Sequence, residues 1–200
     1  ALGLARGRSR PINPARIVNL YAEPTPENSA SPWMLIGTPG QKAFSTAGSE
    51  DIRCGLFALG VLYVLSGQTV YRVDISGSVT ACTGDTPPAT GPATMKSNGV
   101  QLGLLVNSRL FVIAAATPTV IAAVTDAQYP AAGASSFDFI NGYGIFTKGT
   151  AEGEWFLSDL YDFTAYDAAD FATAESSPDG LLCLLANHNE AWLFGVDTTE

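Results

Sequence analysis

The feature of this chain that most restricts its fold is a series of short apolar runs, which begins near residue 52. Glycine, asparagine, serine or aspartate separates each run from the next, a pattern typical of β-strands joined by tight turns. The runs form four sets: Leu56–Leu59, Leu62–Leu65, Val70–Val73 and Val79–Cys82; Leu102–Val106, Leu110–Ala114 and Val120–Val124; Phe137–Ile140, Gly144–Thr147 and Trp155–Leu157; Leu181–Ala186 and Ala191–Gly195.

Each set contains a tight turn that leads directly into an apolar run. If Val61, Arg109, Tyr143 and Glu190 are equivalent positions, the intervals between them are 48, 34 and 47 residues. One four-stranded blade of a β-propeller takes about 40–50 residues. The sequence therefore predicts an all-β protein, a β-propeller with roughly four blades or part of a larger propeller. A β-sandwich has strands of the same length and stays open as the alternative.

Residues 1–32 differ from the rest because five prolines forbid a continuous helix there. We expect an extended N-terminal arm over residues 1–32 and propeller blades over residues 33–200. The chain ends soon after an apolar run, and propellers usually have four to eight blades, so we expect further blades beyond residue 200.

Charge is divided unevenly along the chain. Residues 1–148 contain 10 basic and 8 acidic side chains, whereas residues 149–200 contain 11 acidic side chains and no basic ones. The acidic region should repel a phosphate backbone, while the arm can contact an acidic neighbour or remain a solvated tail. The arginines of the arm that are candidate interface residues are Arg6, Arg8, Arg10 and Arg16.

A second candidate interface lies in the segment from Glu154 to Asp179, which has seven carboxylates interspersed with aromatic side chains. These aromatics could form a surface for a sugar or a protein partner, or they could pack against their own blade. The candidate residues are Tyr161, Asp162, Phe163, Tyr166 and Asp167. The order of ligands in an EF-hand calcium site is missing.

No motif for catalysis or cofactor binding stands out in the sequence. The single histidine, His188, lies in a predicted hairpin turn, and no Gly-x-Ser-x-Gly, phosphate-loop or dinucleotide motif occurs. The three cysteines, Cys54, Cys82 and Cys183, lack metal-ligand or redox spacing. We therefore predict no catalytic residue, no bound metal and no cofactor.

Three parts of the sequence together resemble the packaged-DNA stabilisation proteins, or tail hub proteins, of short-tailed bacteriophages. The first comprises Ser9-Arg10-Pro11, Arg16-Ile17-Val18-Asn19-Leu20-Tyr21-Ala22-Glu23 and Gly37-Thr38-Pro39-Gly40. The second is Gly67-Gln68-Thr69-Val70-Tyr71-Arg72-Val73. The third and most specific comprises Trp155-Phe156-Leu157-Ser158-Asp159-Leu160, Asp170-Phe171-Ala172-Thr173-Ala174-Glu175-Ser176-Ser177-Pro178-Asp179-Gly180, Leu193-Phe194-Gly195 and Thr198-Thr199-Glu200.

This resemblance implies a structural β-propeller protein of the virion tail, made in the host bacterial cytoplasm and without enzymatic activity. It implies a ring of identical copies, six-fold by the resemblance, that lies below the portal or its adaptor and seals the packaged genome. The ring would also carry the tail needle and tail spikes, and double-stranded DNA would pass it without sequence-specific binding. An extracellular carbohydrate-binding or glycan-cleaving propeller is the main alternative, and a cellular scaffold that binds peptides is another.

Overall fold

The computed structural model describes residues 19–40, 42–148, 153–174 and 179–199. All regular secondary structure in these ranges is β-strand, and 17 strands are present. The chain divides into two compact units, Ala1–Ala43 and Phe44–Glu200. This division falls later in the chain than the boundary predicted between residues 32 and 33.

The first unit contains one antiparallel hairpin. Strand β1, Leu20–Pro24, pairs with β2, Trp33–Gly37, so that Leu20 lies opposite Gly37. Large apolar side chains on both strands are exposed, including Tyr21 and Trp33. The four arginines of the arm, Arg6, Arg8, Arg10 and Arg16, lie outside the described residues.

The second unit contains three larger sheets and a final hairpin, and all strand pairs in them are antiparallel except β7 with β11, which is parallel. The first sheet consists of β3 Ile52–Ala58, β4 Val61–Ser66, β5 Thr69–Val73 and β6 Val79–Ala81. The second consists of β7 Thr83–Gly84, β8 Ala93–Ser97, β9 Gln101–Val106, β10 Arg109–Ala114 and β11 Val120–Ala123. The third consists of β12 Ala134–Ile140, β13 Tyr143–Lys148, β14 Glu154–Leu157 and β15 Phe171–Thr173. The final hairpin consists of β16 Leu181–Asn187 and β17 Glu190–Gly195.

The core lies between consecutive sheets. On β9, Leu102, Leu104 and Val106 pack against the first sheet, whereas Leu105 packs against the third. Since side chains alternate between the two faces of a strand, β9 is buried on both faces. A sandwich buries only one face of each sheet, so this packing between successive sheets confirms the prediction of a β-propeller, and each sheet is a blade.

Two-residue turns with positive φ close four of the hairpins. The central residues are Leu59-Gly60, Asn107-Ser108, Asn141-Gly142 and His188-Asn189, and φ lies between 48° and 93° in all eight. Such turns match the twist of the paired strands and favour glycine and asparagine. His188 is exposed in the last of these turns, as predicted.

The repeat predicted from the turns was wrong at one position. Arg109 begins the third strand of its blade, whereas Val61, Tyr143 and Glu190 begin second strands. The equivalent residue is Gln101, and the intervals become 40, 42 and 47 residues. The strand missing from the predicted second set was β8, which is the first strand of that blade.

The first strands of the blades lie side by side, and Asp138 on β12 connects three of them. Its Oδ2 accepts hydrogen bonds from Lys96 Nζ on β8 at 2.8 Å and from the Ala186 N–H on β16 at 3.2 Å. Asp138 is only 8 % exposed. A buried carboxylate is tolerated only with such partners, so this contact fixes the blades relative to one another.

Candidate functional site

The candidate site is the connection between β14 and β15, residues 158–170, which we call the crossover. It starts as a continuation of β14, since the Ser158 N–H donates to the Gly144 carbonyl at 2.9 Å and the Ser158 Oγ accepts from the Gly144 N–H at 2.9 Å. A Cβ atom on Gly144 would lie 2.9 Å from the Phe163 ring. Glycine is therefore required where the crossover folds back over its blade.

Two aromatic side chains anchor the crossover in the core. Phe163 is fully buried, and its ring packs edge-on against Phe137 at 6.1 Å between centroids. Tyr166 is 7 % exposed and packs against Tyr129 at 5.2 Å. The Tyr166 hydroxyl donates to the Phe163 carbonyl at 2.8 Å, and burial raises the pKa of Tyr166. Both rings therefore serve packing, as the alternative interpretation of the sequence predicted.

The crossover is also hydrogen-bonded to the preceding blade. Gln101 accepts from the Phe163 N–H at 2.6 Å and donates to Asp162 Oδ1 at 2.9 Å. Asn98, which is 5 % exposed, donates to the Tyr161 carbonyl at 2.9 Å. These contacts tie the third blade to the turn before β9.

The charge of Asp162 is stabilised by these contacts. Partial burial acts to raise the pKa of Asp162, but hydrogen bonds from Thr164 and Gln101 outweigh it and lower the pKa below its ordinary value. Asp162 Oδ1 also accepts from the Thr164 N–H at 2.8 Å. The carboxylate therefore holds the backbone of the crossover in place.

The five candidate residues of the crossover thus fall into different environments. Tyr161 is 51 % exposed and Asp167 is exposed, whereas Asp162 is half-buried. Phe163 and Tyr166 belong to the core; Phe163 is fully buried, and the 7 % of Tyr166 that is exposed faces the groove described next. The prediction of an interface here therefore depends on Tyr161, Asp162 and Asp167.

A groove runs between residues 128–132 and the second half of the crossover, and its volume is about 450 Å³. Phe156 and Tyr166 lie at its base, where both are almost fully buried. Its lining residues are Gln128, Pro130, Ala131, Ala132, Lys148, Glu154, Trp155, Phe156, Leu157, Tyr166, Asp167, Ala168, Asp170 and Phe171. Sequence reasoning missed this groove because its two sides come from separate parts of the chain, the loop before β12 and residues 154–171, which only the fold brings together.

The described residues offer no other evident chemistry. Within the described ranges, no three His, Cys, Asp or Glu side chains lie where they could hold a metal ion together. A search of the same ranges finds no helix with the length and apolar character to cross a membrane. Burial raises the pKa of Cys54 and of Cys82 to about 11 each, so neither thiol is activated as a nucleophile.

Comparison with solved structures shows the same fold at low sequence identity. The computationally designed Ika4 protein superposes with a TM-score of 0.56 and 12 % identity, covering 81 % of this chain and 97 % of that one. BamB from Moraxella catarrhalis superposes with a TM-score of 0.52 and 11 % identity, covering 72 % of this chain and 41 % of that one. YCF48 bound to D1 peptide superposes with a TM-score of 0.50 and 15 % identity, covering 80 % of this chain and 50 % of that one. The chain thus spans half or less of BamB and YCF48.

Comparison with curated protein sequences finds no match. A family model of phage stabilisation proteins, described as bacteriophage P22 Gp10, beta-propeller, matches residues 14–200. The match covers nearly all of the chain and confirms the resemblance found in the sequence. The chain therefore belongs to the phage stabilisation family of bacteriophage P22 Gp10, a family of β-propellers.

Proposed function

We propose that this chain is a structural tail hub protein of a bacteriophage virion. It assembles as a ring below the portal or its adaptor, closes the filled head, and forms a platform and channel for the tail needle and tail spikes. Membership of the phage stabilisation family is the observation that carries this proposal. The protein is made in the cytoplasm of the host bacterium before it joins the virion.

The environment of the carboxylates supports a structural role over a catalytic one. Hydrogen bonds from the backbone N–H groups of Asp197 and Thr198 lower the pKa of Asp179, and the pKa of Asp162 is lowered as well. A general acid at neutral pH needs a raised pKa. These two carboxylates therefore stabilise the backbone, and no role in acid catalysis is assigned to them.

The charge of the propeller supports closure by assembly instead of closure by binding DNA. Residues 44–200 contain 17 acidic and 5 basic side chains. Binding of the phosphate backbone requires clusters of Lys and Arg that release counterions. An acidic channel repels DNA and lets it pass without sequence-specific contact.

Unlike surfaces within one chain support a closed ring. Residues 1–43 contain five basic and two acidic side chains, opposite in balance to the propeller. Head-to-tail contacts between unlike surfaces form a ring when the rotation between copies closes. We propose a ring of this kind, six-fold as the family resemblance implies, in which the arm of one copy contacts its neighbour.

The glycan-binding alternative loses two of its candidate stacking residues, because Phe163 and Tyr166 are buried. It depends on exposed rings such as Tyr161 and Phe171.

Electron microscopy of particles from the infected or expressing cell tests the proposed function. We expect rings of several copies attached to a portal-like complex. A monodisperse monomer, found also for a longer chain that includes the expected further blades, would refute the proposal.

A further inference from the structure

We propose that the groove between residues 128–132 and the crossover binds an arginine-bearing extended segment, and that its occupant is the N-terminal arm of a second copy. This inference deepens the ring assembly proposed above and rests on it. It names the surface that receives the arm, which the proposed function leaves open.

The groove has an apolar base that suits the methylene stem of an arginine. Phe156 and Tyr166 pack against each other there, with 5.9 Å between ring centroids. Pro130 and the two alanines after it form the opposite wall. Long charged side chains bury their stems on such surfaces while the charged group stays in water. The groove is also within the size range of peptide and small-ligand sites, roughly 300–1,000 Å³.

The edge of the groove offers carboxylates to a cation. Asp167 and Asp170 are both exposed. Asp167 uses Oδ1 to accept the Ala169 N–H at 2.9 Å, and within the described ranges no hydrogen bond involves its Oδ2. Lys148 is the one basic residue among the described lining residues, and it pairs with Glu154. The groove is therefore net negative at the side where the crossover lies.

An exposed aromatic ring lines the same groove. Phe171, the first residue of β15, is 62 % exposed. A guanidinium group can bind a carboxylate with two hydrogen bonds and stack on an aromatic face at the same time, which lysine does less well. A groove lined by both exposed carboxylates and an exposed aromatic ring therefore favours arginine over other cations.

The arm has the matching sequence. Arg6, Arg8 and Arg10 occur at every second residue, so an extended segment would present all three on one side at intervals of about 6.6 Å. Residues 1–43 are net basic, whereas the propeller is strongly acidic. Of the segments in this chain, the arm is the one whose charge and spacing complement the groove.

Peptide binding tests the groove without requiring a ring. A fluorescent synthetic peptide of residues 1–18 is titrated into the full chain carrying R6E, R8E and R10E, so that the chain's own arm does not compete. We expect saturable binding that weakens at least tenfold with D167N/D170N and several-fold with F171A. The asparagine at 167 keeps the acceptor for the Ala169 N–H, so this variant should fold.

The matched control removes the same amount of charge elsewhere. The variant D51N/E190Q changes two exposed acidic residues outside the groove and should alter peptide affinity less than twofold. Absence of binding, or an equal effect of the groove and control variants, would overturn the inference. Rings that form normally with D167N/D170N would also overturn it while leaving the proposed function intact.

Mixing two variants tests whether the occupant comes from a second copy. One chain carries R6E/R8E/R10E and keeps its groove, and the other carries D167N/D170N and keeps its arm. In light scattering after size exclusion, we expect each to be monomeric alone and the mixture to form a heterodimer. If the peptide binds but the mixture stays monomeric, the arm binds its own propeller and the assignment to a second copy is wrong.

Discussion

The aromatic residues of the crossover should differ sharply in their contribution to stability. Phe163 is fully buried and packs edge-on against Phe137 and Phe139, with centroids 6.1 and 6.2 Å away. Tyr161, two residues earlier, is 51 % exposed, and its ring centroid lies 5.9 Å from that of Phe139. Substitution of each residue by alanine compares a core site with a surface site in the same loop.

We expect Phe163→Ala to lower the free energy of unfolding by about 3–5 kcal/mol, because a buried phenylalanine is lost and a cavity remains. Tyr161→Ala should cost less than about 1 kcal/mol, because its ring is half exposed and its backbone hydrogen bonds stay in place. The difference of at least about 2 kcal/mol corresponds to roughly a 30-fold change in the unfolding equilibrium.

Urea unfolding followed by tryptophan fluorescence measures both values, and Trp155 on β14 reports directly on the third blade. If Phe163→Ala does not fold, Phe163→Leu keeps most of the volume and should cost about 1–2 kcal/mol. Equal costs for Phe163→Ala and Tyr161→Ala would refute the assignment of the crossover to the core. A cost below about 1 kcal/mol for Phe163→Ala would refute it as well.

Three further predictions concern the polar contacts between blades. Gln101→Leu removes the acceptor of a crossover N–H and should cost about 1–3 kcal/mol in urea unfolding. Lys96→Met leaves the Asp138 carboxylate without its cation and should cost about 1–3 kcal/mol in the same assay. Because the pKa of Asp162 is lowered on folding, its contribution is present above about pH 4 and is lost as pH falls through the folded pKa. Asp162→Asn should therefore flatten the pH dependence of stability below about pH 4.

Each of these predictions has its own contradicting outcome. Gln128→Leu is the control for Gln101→Leu, because it replaces an exposed glutamine whose side chain does not bond to the crossover in the way that Gln101 does. It should change stability by less than about 0.5 kcal/mol. An equally small effect of Gln101→Leu would contradict the role of Gln101. Wild-type stability in Lys96→Met would mean that backbone donors alone satisfy Asp138. If the stability of Asp162→Asn fell below about pH 4 as steeply as that of the wild type, other carboxylates would cause the acid sensitivity.

The sequence predicted most strands because they form continuous apolar runs, and four of them, β4, β9, β10 and β13, are buried on both faces. It missed β7, β8 and β15 for a physical reason. In β8, Ala93–Ser97, Met95 is the one buried residue, while β7 has only two residues and β15 only three. Their strand conformation depends on pairing with β11, β9 and β14, respectively, and no local periodicity signals it. The absence of β8 from the predicted set also produced the wrong equivalence of Arg109.

The crossover shows why the position of a site can be predicted when the orientation of its side chains cannot. Aromatic and acidic residues alternate closely in residues 158–170, so the composition marks the segment but not the buried members. Burial of Phe163 is set by Gln101, which lies 62 residues earlier and accepts its N–H. Burial of Tyr166 is set by Tyr129 on the loop before β12. Such long-range contacts have no signal in the local sequence.

Two acidic side chains of this propeller also stabilise its backbone. Asp162 fixes the crossover, and Asp179 accepts the N–H groups of Asp197 at 2.7 Å and Thr198 at 3.0 Å after β17. Both have lowered pKa values, so both remain ionised at lower pH than ordinary carboxylates. Neutralising them would loosen the fold as well as reduce the charge. At these two positions the negative charge and the stability of the fold are therefore coupled, and lowering the pH weakens both together.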